Sequence, residues 1–337
     1  MLQNDVDQKM IQQILDTLFE QPDFREKKDY AINVIVRDPL LIKIFFKHDN
    51  AYFIKAASTQ ISDSTGSCSR TADYANTEHA ISSAGFQKIM REHAALEECG
   101  RLYSGLIPVP VTFAESDQHV ILVTRNINHT VVGLSEIFLT TGQIQTFLTG
   151  RERIVKPEHM AFHDHVKTLN QALNVLPEYL HQDIQAIRLL HAWDEMLKSF
   201  PVIPQHGDLA INNMAKACTG LVLFDWEDYG FVTVPGFDLC VLLASGCNFD
   251  LSELILQIEN DIYKANQKSF LYPVIDGLGL HASQLLDLIL IQLIIFYQLK
   301  TQLGYGSDVT ANTESLLRQL SRFVLNKDKS DFQHHRQ

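Results

Sequence analysis

The chain has 337 residues, 46% of them hydrophobic, and its formal net charge at pH 7 is −12. This hydrophobic content supports a sizeable core and excludes global disorder, and the length suits two lobes. The acidic balance makes nucleic acid and anionic lipid poor partners, although a local positive site for a nucleotide is compatible with it.

Cysteine usage and hydropathy indicate the compartment. Five cysteines without a C-x-x-C pair argue against a disulfide framework or a zinc site, so we expect a reducing, cytoplasmic location. The first residues include acids and no long apolar run, so no signal peptide is expected. The most apolar stretch, residues 285–299, is shorter than about 20 residues and contains Asp287 and Gln292, which favours a core helix over a membrane span.

The first part of the chain changes from helical to strand periodicity. Apolar residues recur every four positions over residues 2–19, which predicts an amphipathic helix within an N-terminal segment, 1–27. Residues 28–125 then predict a five-stranded antiparallel sheet with one main helix, at 86–103. The expected strands are 31–36, 40–46, 51–55, 111–113 and 120–123.

The rest of the chain is predicted to be mostly helical. Residues 58–85 are rich in Ser, Thr, Ala and Gly, which indicates a surface insertion in the first lobe. A second lobe is expected over 126–330, followed by a polar tail at 331–337. Its predicted helices are 158–175, 179–199, 250–268, 282–302 and 311–326. A β-rich lobe followed by a helical lobe predicts an α+β, bilobal fold.

The most informative segment is HGDLAINN, at residues 206–213. His206, Asp208 and Asn213 follow the pattern H-x-D-x-x-x-x-N, and Asp225 ends an apolar run twelve residues later. Phosphoryl transfer needs positioning, charge neutralisation and a base for the attacking hydroxyl. Asp208 can accept the hydroxyl proton, while Asn213 and Asp225 offer the oxygen ligands that Mg²⁺ prefers beside phosphate. His206 would brace the loop by hydrogen bonds.

HGDLAINN followed by LVLFDWED resembles the aminoglycoside phosphotransferase and choline kinase family, the small-molecule branch of the protein-kinase-like superfamily. The family patterns H-G-D-L-x-x-x-N and D-W-E are both present, and the resemblance is strongest over residues 200–245. It implies a protein-kinase-like fold, a catalytic base at Asp208 and Mg²⁺ at Asn213 and Asp225. The segment PGFDL resembles a further family element, in which Asp238 would be structural.

The resemblance extends upstream, into the predicted nucleotide-binding lobe. Lys55 ends a strand where the family has its phosphate-binding lysine, and Glu92 lies in MREHAAL, which resembles the helix whose glutamate pairs with that lysine. Thr124 lies where the hinge would contact the adenine. Glutamate is common near that position, so the choice between ATP and GTP stays open. The turn RDPLL lacks the usual glycine, and the insertion separates Lys55 from Glu92.

Several of these residues also have ordinary structural explanations. Lys55 could be a solvated lysine at a strand end, and Asp208 could cap a helix. Glu97 and Glu98 lie on the same predicted helix as Glu92 and compete with it for the ion pair. The joint occurrence of the motifs favours the functional interpretation in each case.

The sequence therefore predicts a Mg²⁺-dependent phosphotransferase that moves the γ-phosphate of ATP or GTP to a hydroxyl of a small molecule. Candidate acceptors are aminoglycosides, amino alcohols and sugars. The acidic balance favours a cationic acceptor, and Glu227 and Asp228 either face it or are structural. The alternative is a non-catalytic nucleotide-binding or scaffold protein on the same fold. A protein kinase is disfavoured because D-W-E replaces D-F-G and no A-P-E-like segment follows.

Overall fold

A computed structural model describes most of the chain in two compact units. The first contains residues 1–128 and 225–228, and the second contains residues 129–224 and 229–337. The described residues are 2–27, 29–35, 39–47, 51–58, 84–116, 119–127, 129–140, 142–154, 164–218, 220–263, 269–303 and 307–334. The predicted insertion at 58–85 lies largely outside them, and so do the first two residues of the RDPLL turn, 37–38, and the predicted helical residues 158–163.

The first unit has the predicted five-stranded antiparallel sheet, with strand order β1-β2-β3-β5-β4. Its strands and helices are α1 (Leu2–Glu20), β1 (Tyr30–Ile35), β2 (Leu40–Phe46), β3 (Ala51–Ser58), α2 (Ala84–Leu102), β4 (Pro110–Glu115) and β5 (His119–Arg125). The prediction of this sheet with one main helix, α2, is therefore confirmed.

Successive side chains of β3 point alternately to the two faces of the sheet, and one of these faces is part of the core. Tyr52, Ile54 and Ala56 belong to a buried cluster that includes residues of α1, β2 and β5. Burying a side chain such as Ile54 stabilises the fold by about 1.5–3 kcal/mol. Because successive strand residues point to opposite faces, Phe53 and Lys55 lie on the other side, where α2 contacts β3.

The second unit is mostly helical and contains a small antiparallel sheet, ordered β6-β7-β8. The strands are β6 (His129–Val131), β7 (Met214–Ala217) and β8 (Gly220–Leu223). The helices are α3 (Leu134–Leu139), α4 (Gln143–Thr149), α5 (His165–Leu173), α6 (Glu178–Leu190), α7 (Trp193–Ser199), α8 (Phe237–Gly246), α9 (Leu251–Tyr263), α10 (Leu271–Gly277), α11 (Leu285–Gln302) and α12 (Ser307–His334).

Two predicted boundaries in this unit are wrong. The helix predicted over 179–199 is broken between α6 and α7, where Ala192 takes a left-handed conformation with φ +50°. Its neighbours explain the break, since His191 Nδ1 and Trp193 Nε1 both lie within hydrogen-bond distance of Asp287 Oδ1, at 2.6 and 2.9 Å. At the other end, α12 continues to His334, beyond residue 326, where the predicted helix ends.

Helix α11 forms the centre of the second unit. Together with its preceding turn it is long and apolar enough to meet the length and composition of a membrane span, but 67% of its most apolar window is buried inside the chain. It packs against α5, α8 and α12. The buried Gln292 side chain uses its amide nitrogen within the protein, since Nε2 donates to the Pro235 carbonyl at 2.8 Å. These contacts support the interpretation of residues 285–299 as a core helix.

Candidate active site

Lys55 is held between two carboxylates in the first unit. Its Nζ lies 2.6 Å from Glu92 Oε2 on α2 and 2.6 Å from Asp225 Oδ1. The side chains of Lys55 and Glu92 are only 14% and 7% exposed, whereas that of Asp225 is 28% exposed. The predicted pairing of Lys55 with Glu92 is therefore present. Its competitors Glu97 and Glu98 are exposed on the same helix.

The two carboxylates keep Lys55 charged. Burial alone lowers the pKa of the Lys55 ammonium, but Glu92 and Asp225 outweigh it and raise that pKa above its ordinary value. Burial also raises the pKa of Glu92, and Lys55 opposes this rise. The cluster thus holds one fixed cation beside a partly exposed carboxylate, which is the charge arrangement that a metal–phosphate group requires.

Asp225 occupies a strained backbone position. The chain leaves β8 at Leu223, and two residues later Asp225 has φ +64°, in the left-handed region. For a residue other than glycine this conformation costs on the order of 1–2 kcal/mol, and such strain is concentrated at functional sites. The strained conformation occurs at the residue whose carboxylate contacts Lys55.

Helix α2 also fixes the residues that follow Asp225. Lys88 Nζ lies 3.1 Å from Glu227 Oε1, and Arg91 Nε donates to the Glu227 carbonyl at 2.9 Å. Glu227 is buried, and so is Asp228. These contacts favour the structural alternative for Glu227, because it anchors the segment that carries Asp225.

Thr124 lies on the same sheet face as Lys55. It pairs in register with Phe53 on β3, and residues directly opposite each other in an antiparallel pair share a face. Its neighbour Val123 points the other way, into the α1 core. Thr124, Phe53 and Lys55 therefore form one continuous half-buried surface that an adenine and its phosphates could follow.

The second unit holds the loop that begins at His206. Asp238, in the first turn of α8, accepts hydrogen bonds from the backbone N–H groups of His206 and Gly207 at 2.8 and 3.2 Å. Burial raises the pKa of Asp238, while His206 and Arg153 lower it. His206 Nε2 donates to the Phe224 carbonyl at 2.9 Å, so this histidine braces the loop as the motif predicts.

Asn213 is oriented by Asp208. Its Nδ2 donates to the Asp208 carbonyl at 2.8 Å, which turns the amide oxygen to the opposite side. Mg²⁺ is coordinated by oxygen atoms and not by an amide nitrogen, so this orientation of the Asn213 side chain suits a Mg²⁺ ligand. In the first unit, Asp225 has a partly exposed carboxylate, which is also a ligand type that Mg²⁺ prefers. The loop is held further by Ser245 Oγ, which accepts from the Ile211 N–H at 2.9 Å.

Lys300 is a functional candidate that the sequence reasoning missed. From the last turn of α11, its Nζ lies 2.8 Å from Asp208 Oδ1, and its side chain is 3% exposed. The same Nζ lies 5.4 Å from the centre of the Phe296 ring. The available signal was the apolar character of residues 285–299, because a lysine directly after such a run lies on a helix that is buried on most sides.

The predicted residues thus form two groups. Lys55, Glu92 and Asp225 are in contact within the first unit, with Thr124 on the same face as Lys55. In the second unit, Asp208 and Asn213 are in contact with each other.

Comparisons with known proteins identify the fold. No protein-family model matches the chain, and no curated protein matches it in sequence. The choline kinase LicA from Streptococcus pneumoniae is similar in structure, with a TM-score of 0.56 and 14% identity over 93% of this chain and 99% of that one. LicA in complex with AMP gives a TM-score of 0.52 at 15% identity, over 93% and 97%.

A choline/ethanolamine kinase family protein from Mesorhizobium loti gives a TM-score of 0.52 at 14% identity, over 93% of this chain and 94% of that one. The predicted α+β, protein-kinase-like fold is therefore confirmed. The chain has the fold of small-molecule kinases along nearly all of its length.

Proposed function

We propose that the protein is a small-molecule kinase, which transfers the γ-phosphate of ATP or GTP to a hydroxyl group. The observation that carries this proposal is the contact of Lys55 with both Glu92 and Asp225 at 2.6 Å. A sheet lysine, a helix glutamate and a carboxylate after a buried strand are parts that phosphoryl transfer requires. The fold shared with LicA, a choline kinase also solved with AMP, supports the same class.

Each residue of the candidate site would have its own role in the transfer. Lys55 binds phosphate oxygens, and Glu92 keeps its ammonium in place. Thr124 lies beside the purine. Asp208 accepts the proton of the acceptor hydroxyl as the new phosphate ester bond forms and the bond to the nucleoside diphosphate breaks. Asn213 and Asp225 hold Mg²⁺, which when bound neutralises charge on the phosphates. The cysteine usage supports a cytoplasmic location.

A scaffold that only binds nucleotide is the rival. A scaffold needs the Lys55 cluster but has no use for an aspartate oriented within a braced loop. His206, Asp238 and Ser245 all fix the backbone around Asp208 and Asn213. Asn213 would serve nucleotide binding through Mg²⁺, but Asp208 has no such role, so the support of its backbone favours the enzyme.

A thermal shift assay tests the nucleotide half of the proposal. The protein is melted with ATP or GTP, each with Mg²⁺ and then with EDTA. Ligand at about a hundred times its Kd should stabilise the fold by roughly 2.7 kcal/mol. We expect a Mg²⁺-dependent shift that Asp225→Ala abolishes. If neither nucleotide shifts the melting of the parent protein, the kinase proposal is wrong.

A further inference from the structure

A cavity of about 430 Å³ opens beside Asp208 within the second unit. Among the described residues that line it, the charged ones are Asp208 and Lys300, whose side chains pair at 2.8 Å. The cavity lining therefore carries no net charge. The chain's overall charge of −12 is not reproduced at this position.

Lys300 already contacts the carboxylate and one of the two aromatic rings that could bind a cation in this cavity. A cationic ligand needs a carboxylate or an aromatic face within about 6 Å. The carboxylate in this cavity is Asp208, and one of its two rings is Phe296. The Lys300 ammonium contacts both, at 2.8 Å and 5.4 Å. A second cation would meet a like charge at the same place.

The remaining lining suits hydroxyl groups. It includes the side chains of Asn212, Asn248 and Asn312, which offer both donors and acceptors. Phe249 adds a ring 6.3 Å from that of Phe296, inclined by 23°, and such faces pack against the C–H groups of a sugar ring. Asn248 and Phe249 both have positive φ, at 52° and 57°, so the turn that places them is strained.

We infer that Lys300 determines the class of acceptor: it excludes cationic compounds, and the phosphate acceptor is a neutral polyhydroxylated compound, a sugar or a cyclitol. This inference rests on the proposed kinase function. It reverses the preference for a cationic acceptor that the net charge alone suggests. It also gives Lys300 a defined role, because the lysine occupies the position at which a substrate ammonium would contact Asp208.

The first test uses choline as a cationic probe in calorimetric titrations. The parent protein, Lys300→Met and Lys300→Arg are compared, and their melting curves establish folding. We expect no saturable choline binding to the parent or to Lys300→Arg up to the highest concentration tested. Lys300→Met should bind choline with a Kd at least about tenfold below that concentration, because Asp208 and Phe296 become available. Lys300→Gln replaces Lys300→Met if the latter does not fold. Choline binding to the parent, or no gain in the uncharged variant, would overturn the inference.

The second test measures ADP release from Mg²⁺-ATP with a panel of sugars, cyclitols, amino alcohols and aminoglycosides. Turnover with a neutral member supports the inference. Preference for a cation, or no turnover with any neutral member, contradicts it. The Mg²⁺-dependent nucleotide shift is recorded on the same samples, so that loss of the kinase function itself is distinguished from a wrong acceptor class.

Discussion

Lys55 Nζ lies 2.6 Å from Asp225 Oδ1, although the two residues are 170 positions apart in the chain. Lys55 lies on β3, the middle strand of the five-stranded sheet, and Asp225 is a residue with strained backbone two positions after the end of β8. The Lys55 ammonium thus contacts two carboxylates, one of them nearly buried on Glu92 and one partly exposed on Asp225. Four predictions follow from this arrangement and from the loop at Asp208.

Replacing Lys55 by methionine should cost both stability and nucleotide binding. Glu92 would remain buried without its cation, and breaking a buried ion pair costs about 3–5 kcal/mol. Adding Glu92→Leu should restore most of the free energy of unfolding, because the carboxylate that then remains without Lys55 is that of Asp225, which is 28% exposed and accessible to water. Urea unfolding measures the stability and thermal shift measures nucleotide binding.

Stability and nucleotide binding should respond differently in the double variant that combines Lys55→Met with Glu92→Leu. We expect it to be stable and yet to bind no nucleotide, since the phosphate contact is gone. If the stable double variant still binds Mg²⁺-ATP with parent affinity, Lys55 has only a structural role.

Asp208→Asn should lower the rate of transfer by about 10²–10⁴-fold, the usual contribution of a general base. The Mg²⁺-dependent thermal shift should be retained, because Asp208 is not assigned to the nucleotide. Initial rates of ADP release with a polyol acceptor provide the measurement. Asp276→Asn, at an exposed carboxylate on α10, is the matched control and should leave the rate unchanged. Parent-like turnover of Asp208→Asn would remove this residue from the mechanism.

The sheet was predictable because its strands carry clear β-branched and aromatic runs, and the loop was predictable because its motif is local. The broken helix at Ala192 was not, since its cause is the distant acceptor Asp287 on α11. Helices α3, α4 and α10 have six or seven residues, too few for periodicity to identify.

In the candidate site, too, some contacts between residues distant in sequence could not be predicted. Lys55, Glu92 and Asp225 were each identified by position in a family pattern, and the structure shows the contacts between them. Lys300 belongs to no such pattern. Its contact with Asp208 depends on how α11 packs in the second unit, which sequence periodicity does not specify.

Asp225→Asn should separate metal binding from backbone strain. Asparagine tolerates the left-handed region well, so the φ of +64° can be kept and the free energy of unfolding should fall only modestly. The amide is a weaker Mg²⁺ ligand than the carboxylate, and the contact with Lys55 loses its charge. We expect the Mg²⁺-dependent part of the nucleotide shift to disappear.

Asp225→Val tests whether the backbone at this position is strained. Its β-branched side chain is disfavoured at positive φ, so this variant should be less stable than Asp225→Asn by about 1–2 kcal/mol in urea unfolding. Equal stability of the two variants would show that the strain at Asp225 is negligible.

Asp238 should make stability depend on pH. Burial raises its folded-state pKa above the ordinary value, so the folded protein holds this proton more tightly than the unfolded chain does. The associated stabilisation is complete below about pH 4, the ordinary carboxyl pKa, and is lost as the pH rises through the folded-state pKa. Asp238→Asn cannot titrate, and it loses part of the two hydrogen bonds to His206 and Gly207 at every pH.

The quantity to compare is the difference in free energy of unfolding between the parent and Asp238→Asn across a series of pH values. Because only the parent loses stability as its buried carboxylate ionises, the advantage of the parent should shrink as the pH rises from about 4 toward neutrality. An advantage of the parent that grows with pH would mean that the N–H groups of the loop stabilise the ionised carboxylate by more than burial penalises it.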